Sequence, residues 1–420
     1  MQYPSSSASA PAPACGRIER VARQLLLLAA FSIPFSTALM NLFIGLTLIA
    51  FVLAAILDRT LLQPLRTPAA LCALALLALV IVGSTWSIAP PDEVRTGMRK
   101  YTKLLVLPLA VCLCWRAADL PARVLRWSLA GCAWLATSLY LVWLGMMPTS
   151  SLGWWRVGDL QDPYAYRNHI TFGILLSFAA CAAFLLATYA RDWRKRIALL
   201  ALGVYFAAPI LMGNGRTGYV GLFVGLFALY LLRGRITLLR CMLVAAAMSV
   251  MFAGVYLVSP NFKMRMDLLA VEVASNDATS PNGLRMSFMK IGTRAVLERP
   301  LLGHGTGSFS EVFAPEAQRI WAGSPNELKI RHQPHSEPLL LAVQLGLIGA
   351  GLYFALLAAA GKAALYRRDE NADALALLVA IYGTTSLFNS LLWDPTEAYW
   401  FLLLAGALYG HCVQRRGIAQ

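Results

Sequence analysis

Apolar runs of membrane-spanning length recur from about residue 22 to about residue 413, separated by short clusters of charged residues, Pro and Gly. A hydrocarbon core is crossed by about 20 apolar residues in a helix. Reading the runs between these breaks predicts twelve spans, near 22–38, 40–57, 69–87, 102–115, 126–146, 169–190, 197–212, 217–232, 240–258, 338–360, 374–392 and 399–413. The one long polar interval, 259–336, falls before span ten. Structureless loops of that length are rare in compact proteins. Within it Leu284, Phe288, Ile291 and Ala295 recur at helical spacing, after an Asn282-Gly283 turn and before Pro300. This predicts an amphipathic helix over 284–298, lying on the face of the bundle.

Composition agrees. The chain is 58% hydrophobic and 14% charged, against roughly 45–50% and about 25% for soluble domains. A soluble enzyme, a secreted disulfide scaffold and a disordered chain are excluded, leaving an all-α polytopic membrane protein. The eight cysteines lie in or beside apolar spans and show neither a disulfide framework nor metal-type spacing. Residues 1–16, rich in Ser, Ala and Pro, read as a disordered tail. Arg17, Arg20 and Arg23 before Leu25 resemble a signal anchor. Spans one to nine then occupy 17–258, the loop 259–336, spans ten to twelve 337–413, and a second tail 414–420.

An even number of spans puts both termini on one side. With the termini in the cytoplasm, twenty Lys and Arg lie inside and seven in the short outer segments, the asymmetry that sets orientation. The net charge of +15 therefore reflects topology and anionic lipid, not nucleic acid.

Polar chemistry concentrates on the outer side, where His169, His304, His332 and His335 all fall. Arg216, in Gly213-Asn214-Gly215-Arg216-Thr217-Gly218, opens span eight, where the helix dipole disfavours a cation. A bound anion reverses that penalty, because free backbone N–H groups at a helix start favour phosphate. The alternative is an interfacial arginine that snorkels. Arg285 borders the apolar face of the loop helix, whereas Lys290, Arg294 and Glu298 read as a solvated face paired at i,i+4. It either points into the space between loop and membrane or joins that solvated surface. His335 lies in Arg331-His332-Gln333-Pro334-His335-Ser336-Glu337-Pro338. Pro338 belongs to the first turn of span ten, so the imidazole is held at the membrane surface. There it is either a general base near neutral pH or a helix-flanking polar residue. Arg95, Arg99 and Lys103 form an i, i+4, i+8 stripe that anchors lipid headgroups or lines an anionic entrance. Gly303-His304-Gly305-Thr306-Gly307 has no strand before it and reads as a tight turn, not a phosphate loop. Asp159-Leu160-Gln161-Asp162 is too weak a pattern for a cation site.

Taken together, these features resemble the O-antigen ligase family, which includes O-antigen polymerases and bacterial protein O-oligosaccharyltransferases. The resemblance rests on the Gly213–Thr217 turn, Arg285, Arg299-Pro300-Leu301-Leu302-Gly303-His304-Gly305, His335-Ser336-Glu337-Pro338-Leu339 and Gln344-Leu345-Gly346-Leu347-Ile348-Gly349. Tyr166-Arg167-Asn168-His169 is a weaker match, and Glu337 stands where many relatives carry Asn.

The resemblance implies a GT-C-like arrangement of about twelve helices in the bacterial inner membrane, with the active site on the periplasmic loop. It implies an inverting transferase, needing neither metal nor cofactor, that moves O-antigen polysaccharide from undecaprenyl diphosphate to lipid A–core. His335 is then the base and Arg216 and Arg285 the diphosphate ligands, with Asn168 and His332 as further substrate contacts. A polymerase uses the same donor, and a protein O-oligosaccharyltransferase differs in its acceptor. A glycan transporter or flippase is the rival of another class. Transporters place ionisable groups at mid-membrane, whereas here these groups cluster at the surface.

Overall fold

The computed structural model describes residues 13–152, 155–158, 163–213, 215–234, scattered positions between 237 and 268, 281–320 and 332–414. Helices α1 (Pro13–Ser32), α2 (Thr37–Leu57) and α3 (Pro68–Val82) lead to α4 (Pro91–Tyr101), which passes through a 3₁₀ turn at Thr102–Leu105 into α5 (Val106–Trp115). After α6 (Leu120–Trp143), strands β1 (Ser150–Leu152) and β2 (Trp155–Val157) pair antiparallel, with Ser151 opposite Arg156. Then come α7 (His169–Tyr189), α8 (Trp193–Met212) and α9 (Arg216–Leu232). The loop region contributes α10 (Pro281–Glu298) and α11 (Phe309–Ile320). The chain closes with α12 (Glu337–Leu365), α13 (Glu370–Thr385) and α14 (Pro395–Gln414).

Five helices among the described residues are long and apolar enough to cross a membrane, namely Thr37–Leu57, Pro68–Trp86, His169–Tyr189, Trp193–Met212 and Glu337–Leu365. Eleven of the twelve expected spans coincide with helical segments, and the ninth, 240–258, lies largely outside the described residues. Expected span four is the second half of a kinked rod that begins at Pro91. Expected span eleven stops at Thr385 rather than 392. Beyond it Leu387 and Phe388 donate to Thr384 and Thr385 in i−3 turns. Ser386, Asn389 and Ser390 offer side chains that compete with helical bonding, and Pro395 starts the next helix.

Two helices occupy the centre. Almost every residue of α14 is buried, and so is most of α7, while α2, α3 and α8 turn apolar side chains such as Ile49, Ile81 and Val204 outward. A helix that is apolar all round belongs in a core or in lipid. Along α7, Gly173, Ser177 and Cys181 form a small-residue seam against Gly218, Gly221 and Gly225 of α9, and Ser177 Oγ donates to Gly218 O at 2.8 Å. Such seams let membrane helices approach closely. This one sets the start of α9 against the start of α7.

The segment 299–308 wedges between α3 and α12. Gly303, Gly305 and Gly307 all have positive φ, and a Cβ at Gly305 would lie 2.1 Å from Ser87 Cα. His304 N and Gly305 N donate to Val343 O and Gln344 O, Thr306 N donates to Gly83 O, and Gly307 N donates to Gln344 Oε1. The run is a tight turn whose N–H groups are spent inside the protein, as its sequence suggested. It meets α12 where Gly346 (φ 66, ψ −169) breaks the helix, and Leu347 N donates to Pro300 O at 2.7 Å. Span ten is therefore broken, not continuous.

The seam makes opposite predictions for two glycines. A Cβ at Gly218 would come within 2.9 Å of Gly173 Cα, whereas a Cβ at Gly45 meets nothing within 4 Å. Alanine is favoured over glycine in a helix by about 1 kcal/mol, and overpacking costs about 1–3 kcal/mol. Gly45→Ala should raise or leave unchanged the melting temperature in detergent, and Gly218→Ala should lower it.

Candidate functional site

Four helix starts meet on the side that carries α10 and α11. Gly215, which precedes α9, lies so close to α7 that a Cβ there would sit 2.7 Å from His169 O. Thr171 in the first turn of α7 donates to Glu397 in the first turn of α14. Glu337, first in α12, touches the Ser386–Asp394 turn that precedes α14. Helix N-termini carry partial positive charge and outward N–H groups. Asn168 Oδ1 caps α7, accepting from Thr171 N at 2.9 Å. Neither Gly215 before α9 nor Ser336 before α12 makes a side-chain cap bond.

The three principal sequence candidates border this region. Arg216 is the first residue of α9 and half-buried. Next to it, Thr217 Oγ1 accepts from Asn389 Nδ2 at 3.2 Å, which ties the start of α9 to the Ser386–Asp394 turn. His335 lies beside the same turn, two residues before Glu337. Its backbone is left-handed at φ 55, a conformation that costs an ordinary residue about 1–2 kcal/mol and is found at functional sites. The His335 ring lies 6.0 Å from that of Phe288, which is fully buried against Phe309 and Phe313. Arg285 is half-buried on α10, one turn before Phe288. Thus His335 packs on Phe288, three residues beyond Arg285 on α10, and the neighbours of Arg216 and His335, Thr217 and Glu337, bond to one turn.

Beneath His335 lies a buried network that sequence reading did not find. Glu337 is fully buried. Its Oε1 accepts from Tyr101 Oη at 3.0 Å, and its Oε2 accepts from Leu392 N at 2.8 Å and Trp393 N at 3.3 Å. Its backbone N donates to Ser386 O at 2.9 Å. Lys103 Nζ donates to Trp393 O at 2.9 Å, and Lys100 lies 5.3 Å from the Trp393 ring centroid. Asp394 is half-buried nearby. Burial pushes its carboxyl above the ordinary carboxylate range, against the pull of Lys100, Lys103 and a hydrogen bond from Gln333. The only sequence signal was a cluster of polar residues inside an expected span, Ser386, Asn389 and Ser390.

Other expectations change. The stripe Arg95, Arg99 and Lys103 is divided: Arg95 and Arg99 are exposed, while Lys103 is buried. The rod enters the bundle at Lys103: Leu104 beyond it is buried, and so is every residue from Val106 to Cys114. Arg294 reaches Glu316 of α11 at 3.3 Å rather than pairing with Glu298. His332 is exposed, and its Nδ1 lies 3.1 Å from Glu93 Oε2. Asn168 sits at the rim as the α7 cap. Its neighbour Arg167 donates to Ile33 O, Pro34 O and Thr37 Oγ1, closing the end of α1. Asn214, Asp159 and Asp162 lie outside the described residues.

Fold and site together define a polytopic helical membrane protein with basic and imidazole groups gathered at one face, around converging helix starts. Residues 201–354 match the sequence model of the O-antigen ligase family, which takes in Arg216, Arg285 and His335. The function this match indicates is of the O-antigen ligase or polymerase type, glycosyltransferase-like and membrane-bound. No curated protein matches the chain. Among solved structures, a chain described under "Structural coordination of polymerization and crosslinking by a peptidoglycan synthase complex" is 20% identical with a TM-score of 0.44, over 83% of this chain and 96% of that one.

The Glu337 network carries its own test. Glu337→Ala leaves the Tyr101 hydroxyl and the Leu392 N–H buried without their acceptor, at about 1–3 kcal/mol each, while the Trp393 N–H keeps its bond to Ser390 O. Tyr101→Phe removes one donor and leaves the other two bonds in place. Thermal unfolding should therefore show Glu337→Ala as the more destabilised by several degrees; equal melting temperatures would count against the network.

Proposed function

We propose that the protein is an O-antigen ligase of the bacterial inner membrane, with both termini cytoplasmic and the site facing the periplasm. It transfers O-antigen polysaccharide from undecaprenyl diphosphate to a sugar hydroxyl of lipid A–core in lipopolysaccharide biosynthesis. What supports the reading is the family match over residues 201–354, which contains Arg216, Arg285 and His335, together with the tie of the start of α9 to the Ser386–Asp394 turn and the left-handed His335 against Phe288.

The chemistry follows from these groups. A diphosphate is a good leaving group whose main need is neutralisation of negative charge. Arg216 at the uncapped start of α9 supplies charge and adjacent N–H groups, and Arg285 supplies a second planar fork from the loop. Neutralisation by two arginines needs neither metal nor cofactor. The acceptor hydroxyl is a weak nucleophile. His335 takes its proton as the oxygen attacks the anomeric carbon from the face opposite the diphosphate. The new C–O bond forms as the bond from the anomeric carbon to the diphosphate oxygen breaks, and the electron pair leaves with undecaprenyl diphosphate. Attack from the opposite face inverts the anomeric centre. Asn168 and His332 lie at the rim as secondary substrate contacts. The polyprenyl tail stays among the membrane helices.

Reconstitution with undecaprenyl-diphosphate-linked glycan tests the reading, with lipid A–core and free glycan as alternative acceptors. Transfer to lipid A–core is expected; chain growth on free glycan alone identifies a polymerase instead. His335→Ala should abolish transfer while donor binding persists, since base catalysis contributes about 10²–10⁴-fold. Wild-type turnover in that variant would leave His335 a structural residue.

The arginines are tested separately. Arg216→Lys and Arg285→Lys keep the charge but lose the fork, and a hydrogen bond to a charged group is worth roughly 1.5–3 kcal/mol. Each should transfer about tenfold or more slowly, and the Ala variants more slowly still. Near-normal Lys variants would replace bidentate recognition with simple attraction. EDTA should leave the rate unchanged; loss restored by Mg²⁺ would point to a cation site.

A further inference from the structure

The Ser386–Asp394 turn touches both halves of the site through different side chains. On the donor side, Asn389 Nδ2 donates to Thr217 Oγ1 at 3.2 Å, adjacent to Arg216, and also to Thr385 O at 3.2 Å. On the acceptor side, Glu337 grips Leu392 N and Trp393 N with its carboxylate and donates its own N–H to Ser386 O. Asn389 and Ser390 are buried, at 1% and 0% exposure, and Lys103 holds the far end through Trp393 O. Buried backbone polar groups need partners inside the protein, and Leu392, Trp393 and Ser386 find theirs in Glu337, although Asn389 Oδ1 and Ser390 Oγ are buried without one; the backbone bonds leave the turn little freedom of its own. Moving either helix start moves the turn, and through it the other.

We propose that the Ser386–Asp394 turn is the positioning element of the site, with Asn389 and Glu337 as positioning residues that hold Arg216 and His335 in register. The proposal rests on the transfer reading above for its effect on rate, but the mechanical coupling stands apart from it. In a two-substrate transfer the acceptor oxygen must meet the anomeric carbon in line with the departing diphosphate. A misplacement of about 1 Å can cost about 10²-fold in rate. The turn fixes that distance because the residues thought to hold donor and base sit on separate helices, whose starts are joined here through Asn389 and Glu337. The left-handed backbone at His335 fits the same role, since strained conformations persist where surrounding contacts over-determine them.

The bond between Asn389 and Thr217 can be removed from either end without changing volume much. Thr217→Val deletes the acceptor, Asn389→Leu deletes the donor, and Thr217→Ser restores the hydroxyl. The full-length protein in nanodiscs is followed by hydrogen exchange and by steady-state transfer to whichever acceptor the wild type uses. Thr217→Val should speed exchange at Leu392, Trp393 and Glu337, across the turn from the substitution. An increase confined to the start of α9 would overturn the coupling. In transfer assays normalised to folded protein, each single variant should lose about tenfold in kcat with donor KM within about twofold, the scale expected of misalignment. Thr217→Ser should recover most of the rate. The double variant should be no slower than the slower single, as expected for residues acting through one contact. Unchanged kcat in both singles, or losses that multiply in the double, would overturn the positioning role. Exchange coupling in a wild type that transfers to no acceptor would overturn the ligase reading and leave the coupling standing.

Discussion

Backbone polar groups buried away from water must be paired, so irregular chain is tolerated in the interior only where protein supplies the partners. Two irregular segments of this molecule meet that constraint in different ways, and the site lies between them. Residues 299–308 spend their N–H groups on the carbonyls of α3 and α12 and on the Gln344 side chain. The Ser386–Asp394 turn spends two of its N–H groups on one carboxylate, Glu337. A carboxylate is the strongest acceptor a side chain offers, and burying it is tolerable because three donors converge on it. Between these two fixed points α12 begins, and His335 precedes it.

Because the loop segment is keyed into a break in α12 at Gly346, α10 is fastened to the bundle at its C-terminal end. Phe288, Ile291 and Ala295 then bury the face of α10 against its neighbours, and Gly292 lets the Leu339 side chain pack close. Arg285, a turn before Phe288, is carried on the helix that this packing positions. The same holds for Arg216, whose place is set by glycine contacts between α7 and α9. Small residues and aromatic packing decide where the cations stand.

How legible was this in the sequence? Periodicity located nearly all the helices, because a run of apolar residues has few other conformations available in lipid. The α10 face was readable for the same reason, with Phe288, Ile291 and Ala295 buried at the expected spacing. The Gly303–Gly307 turn was readable because no strand precedes its glycines, but the break at Gly346 was not, since one glycine in an apolar run is common in membrane helices. Lys103 was misplaced because the chain passes into the core there, with Val106–Cys114 buried on every side, and an apolar run reads alike whether it faces lipid or core. Glu337 was set down as a departure from a family pattern; its partners Tyr101, Leu392 and Trp393 lie 236, 55 and 56 residues away. Contacts at that separation have no local signature.

That contrast bears on the division of labour among the charged groups. Cations near the helix starts add to partial positive charge already present, an arrangement that is unfavourable until an anion arrives. Two buried acidic side chains, Glu337 and Glu397, lie at these same helix starts. Each faces inward, onto Tyr101 and backbone N–H groups in one case and onto Thr171 in the other. Lys103 is buried and donates to Trp393 O; Arg216 and Arg285 are half-buried. A fully buried cation serves the fold, whereas a half-buried one keeps contact with its surroundings. On the transfer reading proposed above, that difference assigns the diphosphate to the two arginines and the fold to the lysine.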